Sequence, residues 1–224
     1  MLLVLENVLS KAQLAAFREA YDHLDFGDGR ATAGERAAMV KRNLQLPNDT
    51  PEHAALSAEV FAVLASSKQY MSAALPLQTS PPLFNRYLPG MQFGQHVDNA
   101  VRIDGDAPLR ADVSTTIMLS EPDSYEGGDL VIEDTYGERR IRLKAGSMVV
   151  YPSASLHRVE PVIAGKRDVI VLWTQSMVRH EPQRLLLYQL DQSIQSLRQR
   201  DPAAIEIDSL MANYHNLLRM WANV

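Results

Sequence analysis

Two histidines and one aspartate have the residue types and the spacing for metal chemistry. His96 and Asp98 are separated by one residue, and His157 lies much further along the chain. Two imidazoles and one carboxylate leave half of an octahedral Fe(II) site open, which is the arrangement of non-heme iron oxygenases. These three residues therefore predict an iron centre that takes part in oxidation chemistry.

Arg167 predicts which co-substrate that iron would use. It follows His157 at the start of a predicted strand. Its planar guanidinium can hold a carboxylate through two parallel hydrogen bonds, which the compact charge of a lysine cannot do. Together with the three metal ligands, Arg167 predicts a dioxygenase that depends on Fe(II) and 2-oxoglutarate. Taken alone, the same residue is also explained as a surface arginine at a strand start.

Alternation along the predicted strand at 167–176 divides its side chains between two faces. One face comprises Arg167, Val169, Val171 and Trp173. The other face comprises Lys166, Asp168, Ile170 and Leu172. Large apolar neighbours suit a buried arginine that binds a carboxylate. On the opposite face, we expect a salt bridge between Lys166 and Asp168 across one pleat.

The His-x-Asp spacing occurs twice in the chain, so its specificity needs a structural test. The second copy, His23-Leu24-Asp25, falls at the end of a predicted helix. Residues two apart diverge there by about 200° around the helix axis. His96 and Asp98 fall in a predicted strand at 93–101, where residues two apart project from the same face. We expect the pair at 96 and 98 to bind metal, and the copy at 23–25 to be a solvated helix terminus.

Other polar residues have a structural explanation beside the functional one. Tyr87 and Asn85 share a face of the strand before the ligand strand. The Tyr87 hydroxyl could share the co-substrate carboxylate with Arg167, or it could pack in the core. Arg102 could reach an acidic group of the substrate at the pocket mouth, or it could be solvated. The remaining histidines are interpreted as surface or capping residues: His53, His180 and His215.

Composition narrows the classes of function. The 224 residues are 46% hydrophobic and 22% charged, as in an ordinary globular protein with a core. The net charge of −5 gives no basic footprint for nucleic acid or anionic membrane, and no apolar run is long enough to span a bilayer. With no cysteine, any metal must have nitrogen and oxygen ligands. The interruption of the first apolar stretch by Glu6 argues against a signal segment, so we expect the cytoplasm.

The chain reads as a mainly β protein with flanking helices, an α+β class. A strand at 2–8, a helix capped by Ser10 and a helix from Thr50-Pro51 to about Ser66 come first, while 30–49 has no confident assignment. Helical patterns return at Glu181-Pro182 and Asp201-Pro202. Turn residues, Gly105 among them, separate short segments that suit a sandwich, barrel or jelly roll. The predicted strands lie near 83–88, 93–101, 112–119, 129–134, 138–143, 147–151, 156–162 and 167–176.

Several longer strings resemble the PKHD-type hydroxylases, the bacterial iron-uptake factor PiuC family within the Fe(II)/2-oxoglutarate-dependent dioxygenase superfamily. The resemblance covers essentially the whole chain, and these strings are more specific than the bare triad. They are Phe84-Asn85-Arg86-Tyr87, Gly90 through His96-Val97-Asp98 to Ala100, Leu119-Ser120, Glu126-Gly127-Gly128-Asp129-Leu130, Tyr151-Pro152-Ser153, His157-Arg158-Val159 and Trp173-Thr174-Gln175-Ser176.

The resemblance implies a double-stranded β-helix, a cupin-like jelly roll, with N-terminal and C-terminal helices. It also implies 2-oxoglutarate as co-substrate, L-ascorbate as the reductant that keeps iron ferrous, and a role in iron homeostasis. Three regions follow: supporting elements at 1–80, the dioxygenase core at 81–178 and a helical extension at 179–224. The predicted reaction hydroxylates a substrate with O2 while 2-oxoglutarate is decarboxylated to succinate and CO2.

The substrate stays open between a peptide side chain, an amino acid and a siderophore-related molecule. A cupin-like iron or small-molecule sensor without turnover is the alternative function, although a sensor does not need Arg167 as a dicarboxylate anchor. A structural β-roll that retains no metal is a third. The apolar stripes of the C-terminal helices also allow a homo-oligomer.

Overall fold

The computed structural model describes residues 1–32, 34–103 and 107–224. Helices precede and follow a β-rich middle, as the sequence predicts. A short 3-10 helix at Gly29–Thr32 lies between the first two α-helices. The helices are α1 (Lys11–His23), α2 (Glu35–Val40), α3 (Pro51–Ser66), α4 (Lys68–Ala74), α5 (Glu181–Arg200) and α6 (Glu206–Trp221).

The strands are short, and most of them fall in two antiparallel sheets. They are β1 (Leu3–Leu5), β2 (Gly27–Asp28), β3 (Lys41–Arg42), β4 (Leu44–Gln45), β5 (Pro76–Thr79), β6 (Leu83–Tyr87), β7 (Gln92–His96), β8 (Val101–Ile103), β9 (Pro108–Arg110), β10 (Val113–Met118), β11 (Tyr125–Gly127), β12 (Leu130–Asp134), β13 (Gly137–Ile141), β14 (Met148–Pro152), β15 (His157–Val159), β16 (Val162–Gly165) and β17 (Arg167–Ser176).

Strand order in the two sheets brings together segments that are distant in sequence. The larger sheet has the order β1-β14-β10-β17-β6-β4-β2, with β5 paired to β17. The smaller sheet has the order β13-β12-β15-β7-β3, while β8 pairs with β9 and β11 with β16 in two further, two-stranded sheets. Apolar side chains of β6, β10, β14 and β17 meet those of β12 and β15 in one cluster between the sheets. The interior of the roll therefore lies between β6, β10 and β17 on one side and β7 and β15 on the other.

The central strands of the larger sheet are buried on both faces, and β17 shows this most clearly. Val169 belongs to the cluster between the sheets, whereas Ile170 and Leu172 pack with residues of α1, α3 and α4 on the outside of the sheet. The two-faced arrangement predicted for 167–176 is therefore confirmed. Strands buried on both faces are expected to be continuously apolar, as this one largely is.

The helices begin where their capping residues predict. The Ser10 hydroxyl accepts from the Gln13 amide while the Gln13 side chain accepts from the Ser10 amide, a complete capping box. Thr50 caps α3, which ends at Ser66 as predicted. At the other end of the chain, α5 and α6 pack against each other and against Leu75 and Val178.

The apolar stripes of the C-terminal helices are used at least partly within the chain. Leu187 is fully buried, and Leu217, Leu218 and Trp221 pack around it and Val178. These helices thus brace one end of the larger sheet, and the homo-oligomer stays a prediction. Across the described residues, no helix combines the length and the apolar character needed to cross a membrane.

Several predicted boundaries were wrong. The strand predicted at 93–101 ends at His96, and 156–162 is divided between β15 and β16. The strand predicted at 2–8 covers Leu3–Leu5 alone, and the last helix begins at Glu206 instead of Asp201-Pro202. Residues 30–49 contain α2, β3 and β4, which periodicity does not indicate because each is six residues or shorter. The predicted turn at Gly105 lies outside the described residues.

The predicted salt bridge between Lys166 and Asp168 was also wrong. Lys166 pairs with Asp22 of α1 at 2.5 Å, and Asp168 accepts two hydrogen bonds from Arg86 at 2.8 and 2.9 Å. Both partners come from elements packed beside β17. A helix packed on the sheet and the adjacent strand, rather than neighbours along β17, therefore decide the ion pairs on this face.

Candidate metal centre

Adjacent strands of the smaller sheet position the candidate ligands. His96 is the last residue of β7 and His157 the first residue of β15, and the two are direct partners in the antiparallel register. Asp98 follows two residues after the end of β7. Strand parity is therefore not what brings Asp98 to His96, contrary to our expectation; the turn out of β7 does so.

The three side chains converge on one point. His96 Nε2 lies 3.9 Å from Asp98 Oδ1, and His157 Nε2 lies 3.8 Å from the same oxygen. The candidate ligand atoms of the three residues all lie within 4.8 Å of one another. Ligand bonds to a transition metal are ~2 Å long, so one ion can contact all three groups after small adjustments. The chemistry of this donor set, two imidazoles and one carboxylate, fits Fe(II).

Both imidazoles are oriented by carbonyl groups of their own segments. His96 Nδ1 lies 2.8 Å from the Gly94 carbonyl oxygen, and His157 Nδ1 lies 2.9 Å from the Ser155 carbonyl oxygen. Because a carbonyl can accept but not donate, Nδ1 carries the proton in each ring. The neutral tautomer leaves the Nε2 lone pair directed at the shared point, as a metal ligand requires.

The site keeps His96 in its neutral form. Burial, and after it the electrostatic interaction with the neighbouring His157 ring, lower the pKa of His96 to about 4. The Phe93 ring stacks on His96 with ring centroids 3.6 Å apart, which covers one side of the imidazole. A histidine that stays neutral at ordinary pH is available for a metal without first losing a proton.

A buried serine pair holds the Asp98 carboxylate. The Ser114 hydroxyl of β10 donates to Asp98 Oδ2 at 2.6 Å and lies 2.8 Å from the Ser153 hydroxyl. Ser114 and Ser153 are both almost completely buried. With Oδ2 engaged in this way, Oδ1 is the carboxylate oxygen that faces the two imidazoles.

Arg167 lies deep in the cavity beyond the metal ligands. It is 1% exposed, and its Nε has no hydrogen-bond partner within the described residues. Its guanidinium carbon lies 5.3 Å from the centre of the Tyr87 ring, on the neighbouring strand. A buried cation with an unused donor is the feature that an incoming carboxylate would complete.

Tyr87 and Gly128 form the surroundings of Arg167. Burial raises the pKa of Tyr87 to about 12, so its hydroxyl remains a neutral hydrogen-bond donor. Gly128 has a φ of +68°, and a Cβ there would lie 2.9 Å from Val162 Cγ2 and 3.1 Å from Arg167 Cδ. The side chain of Arg167 therefore passes over a backbone position that favours glycine for two separate reasons.

One continuous cavity joins these groups. The space within it that is open to water-sized groups is about 50 Å³. Arg167, Tyr87 and Asn85 line it together with the three candidate ligands. The structure thus brings together every residue that the sequence predicted for metal and co-substrate.

An outer cavity adjoins the first on the other side of the metal ligands. Arg102 lines this outer cavity, with its guanidinium carbon 3.8 Å from the centre of the Trp173 ring. Arg102 is half-buried and lies at the mouth of the pocket.

Sequence reasoning missed three polar contributors to the site. Lys41 lines both cavities although it lies in the stretch without an assignment, and Ser114 holds Asp98. Trp173 also lines both cavities, and its place on the Arg167 face was the available signal. Ser114 could have been noticed as a polar residue inside an apolar strand. The local sequence around Lys41 carries no such signal.

The other histidines are outside the site. His53 was expected at the surface or as a cap, but it is 4% exposed, with Nε2 2.8 Å from the Pro82 carbonyl oxygen. His180 and His215 are exposed, as predicted. His23 is the last residue of α1. Within the described part of the chain, the potential ligands that converge are those at 96, 98 and 157, and the copy at 23–25 forms no such group.

Comparison with known families gives two matches that together cover most of the second half of the chain and part of the first. The 2OG-Fe(II) oxygenase superfamily matches residues 82–175, and the PKHD-type hydroxylase C-terminal domain matches residues 182–223. A PKHD-type hydroxylase of Shewanella baltica is 50% identical over 224 residues, which is 100% of both chains.

Solved structures share the fold at low sequence identity. A Pseudomonas putida prolyl-4-hydroxylase has a TM-score of 0.54 and 19% identity, covering 78% of this chain and 92% of its own. A Trichoplax adhaerens prolyl hydroxylase, solved with a fragment of the hypoxia inducible factor oxygen degradation domain, has a TM-score of 0.56 and 18% identity, covering 83% and 86%. The predicted jelly-roll class with flanking helices is confirmed by this likeness and the two antiparallel sheets.

Proposed function

Because the chain belongs to the PKHD-type hydroxylases of the 2OG-Fe(II) oxygenase superfamily, we propose that its metal centre hydroxylates a small-molecule or peptide substrate. The substrate C–H bond, O2 and 2-oxoglutarate are converted to a C–OH group, succinate and CO2. One oxygen atom enters the product and the other enters succinate, so the electrons balance without a further reductant in each productive turnover.

The proposal assigns the metal to His96, Asp98 and His157, each through the atom that faces the shared point. Bound iron would supply the open coordination positions and the redox chemistry that the side chains lack. The residues of this chain do the positioning: the two imidazoles are fixed by carbonyl groups, and the carboxylate is fixed by Ser114. None of these side chains needs to act as a general base.

The proposal assigns the far carboxylate of 2-oxoglutarate to Arg167, with Tyr87 as a second donor. The observation that carries it is a fully buried guanidinium in the same cavity as the three metal ligands, whose Nε has no partner in the part of the chain that the structure describes. An arginine in such a place is expected to be strongly destabilising unless an anion joins it. A dicarboxylate that reaches from the metal ligands to Arg167 satisfies that requirement.

The wider setting is part of the same proposal. L-ascorbate would return iron to the ferrous state after unproductive turnovers, and a role in iron homeostasis follows from the resemblance to iron-uptake factors. We also propose a cytoplasmic location and the division into 1–80, 81–178 and 179–224. The substrate classes are a peptide side chain, an amino acid and a siderophore-related molecule.

A succinate-release screen tests the function. The protein is supplied with Fe(II), ascorbate and 2-oxoglutarate, and metabolites and peptides are added one at a time. We expect at least one compound to stimulate succinate formation, and His96→Ala to abolish it, while the exposed His215→Ala retains it. Unchanged succinate formation in His96→Ala would contradict the proposal. Metal binding without any stimulated turnover would instead support the sensor.

A further inference from the structure

We infer that the substrate presents a carboxylate to Lys41 and Trp173, which form an anion subsite where the inner cavity meets the outer one. This inference rests on the proposed function, because it names a chemical class for the substrate of that same centre. Two features of the described residues lead to it: a buried ammonium group with no carboxylate partner among them, and a buried indole donor with no acceptor among them.

Lys41 is an unusual residue to find inside the roll. It is 4% exposed, on β3, paired in register with Phe93 of β7. Its ammonium group lies 5.6 Å from the centre of the Phe93 ring, and that ring stacks on His96. Lysine is almost never fully buried unless it is paired with an opposite charge.

The contacts of Lys41 do not supply that opposite charge. Its Nζ donates to Gln45 Oε1 at 3.2 Å and to Thr32 Oγ1 at 3.3 Å, both neutral acceptors. Among the described residues, no carboxylate oxygen lies within 4 Å of Nζ. Burial, and after it the positive charge of Arg102, lower the pKa of Lys41 to about 8. The ammonium form is still the main one at pH 7.

The carboxylates that act on Lys41 from a distance are already engaged. They are Asp28 and Asp98. Asp28 is paired with Arg30, with Nε 2.8 Å from Oδ2, and Asp98 is the proposed metal ligand. An ammonium group in this position therefore gains most from an anion that arrives with a ligand.

Trp173 contributes the second donor. Its indole is 7% exposed and lines both cavities, and its Nε1 has no hydrogen-bond partner within the described residues. Buried indole nitrogens usually find an acceptor. The Arg102 guanidinium covers one face of the ring and adds positive charge to the same wall. Lys41 and Trp173 thus offer an ammonium group and an indole N–H along the same two cavities.

The proposed anion subsite at Lys41 is a different position from the proposed 2-oxoglutarate position at Arg167. Arg167 lines the inner cavity but not the outer one, Arg102 lines the outer cavity but not the inner one, and Lys41 lines both. His96 and Asp98 also line both, so the metal lies at the same junction. A substrate whose carboxylate is held at Lys41 would thus place its adjacent C–H bonds near the metal, while 2-oxoglutarate occupies Arg167.

Ligand-induced stabilisation tests the subsite without turnover. The protein is loaded with Zn(II), a redox-inert stand-in for iron, and saturated with 2-oxoglutarate so that Arg167 is occupied. A panel of N-acetylated L-amino acids is then added, each as the free acid and as the primary amide, and Tm is followed. We expect at least one acid to bind about 10-fold or more tightly than its amide, the advantage of a charge-assisted hydrogen bond.

Variants assign the effect to Lys41. We expect Lys41→Met to lose the preference for the acid, Lys41→Arg to retain part of it, and Lys144→Met, an exposed control, to retain all of it. Equal binding of every acid and its amide, or the same preference in Lys41→Met, overturns the inference. Stabilisation by 2-oxoglutarate is read in the same experiment: if 2-oxoglutarate gives no metal-dependent rise in Tm, the proposed function itself fails.

Discussion

The two faces of β17 carry adjacent buried charges that are treated in opposite ways. On the outer face, Asp168 accepts two hydrogen bonds from Arg86, and its own backbone amide donates to the Ser120 hydroxyl. On the cavity face, Arg167 is buried more completely but its Nε has no partner among the described residues. Asp168, whose ion pair is completed by Arg86, thus directly follows Arg167, whose ion pair is not completed by the described residues.

This difference teaches how to distinguish structural from functional burial of charge. A charge whose partners are all supplied by the fold stabilises one packing arrangement. A charge left with an unused donor lowers stability until a ligand arrives, so its presence points to a binding role. By the same criterion we group Lys41, whose two acceptors are neutral, with Arg167. The uncharged Trp173 indole joins them because its Nε1 has no partner within the described residues.

Removing the partner of Asp168 should have the largest effect on stability. Arg86→Met leaves a carboxylate that is 9% exposed without its guanidinium. We expect the free energy of unfolding to fall by about 3–5 kcal/mol, the range for breaking a buried pair. Urea denaturation measures it, and binding of 2-oxoglutarate to the protein that remains folded should be unchanged. A neutral effect on unfolding would remove the contrast between the two faces.

Removing Arg167 should give the opposite pattern. Arg167→Met deletes a buried cation whose Nε has no partner within the described ranges, so the unliganded protein should be at least as stable as before. Its dissociation constant for 2-oxoglutarate should rise about 30-fold or more, as expected for losing one side of a buried charged pair. Arg167→Lys keeps the positive charge but lacks the planar guanidinium. Its affinity for 2-oxoglutarate should lie between that of the unaltered protein and that of Arg167→Met. Loss of stability with normal 2-oxoglutarate affinity would contradict this assignment.

A smaller effect is expected from the serine that holds Asp98. Ser114→Ala removes the hydrogen bond to Oδ2, and we expect metal affinity to fall about 10-fold, the lower end for groups that orient metal ligands. The matched control is Ser120→Ala, whose hydroxyl accepts from the Asp168 amide away from the metal site. It should lower stability by about 1 kcal/mol and leave metal affinity unchanged. Metal titration and denaturation of both variants separate these outcomes. Equal metal affinity in the two would place Ser114 with the structural residues.

The parts of this site that sequence could predict are those that depend on local geometry. Alternation along β17 correctly placed Arg167 opposite Asp168, because side-chain direction in a strand repeats every two residues whatever the strand packs against. The 96/98/157 group was identified from residue types that suit one metal. The face assignment needs only a few neighbouring residues, and the ligand assignment needs only the chemistry of the side chains.

The rest depends on contacts made across the sheets. The partner of Asp168 is Arg86 of β6, and Lys41 reaches the cavity because β3 pairs with β7. Neither contact leaves a periodic trace in the chain, and β3 has two residues. His53 was misplaced for the same reason, since its burial comes from α3 packing on Phe84 and Pro82. Such contacts require the tertiary register, which single-sequence patterns do not contain.

Gly128 has a consequence for how mutational tolerance in this protein should be read. Any side chain there would meet Arg167 and Val162 and would also strain a backbone with φ of +68°. In a saturation scan scored by activity, this glycine should tolerate as few replacements as His96 or Asp98. Loss of activity on substitution would therefore make Gly128 look like a metal ligand. A parallel scan scored by metal retention would show that it is not one.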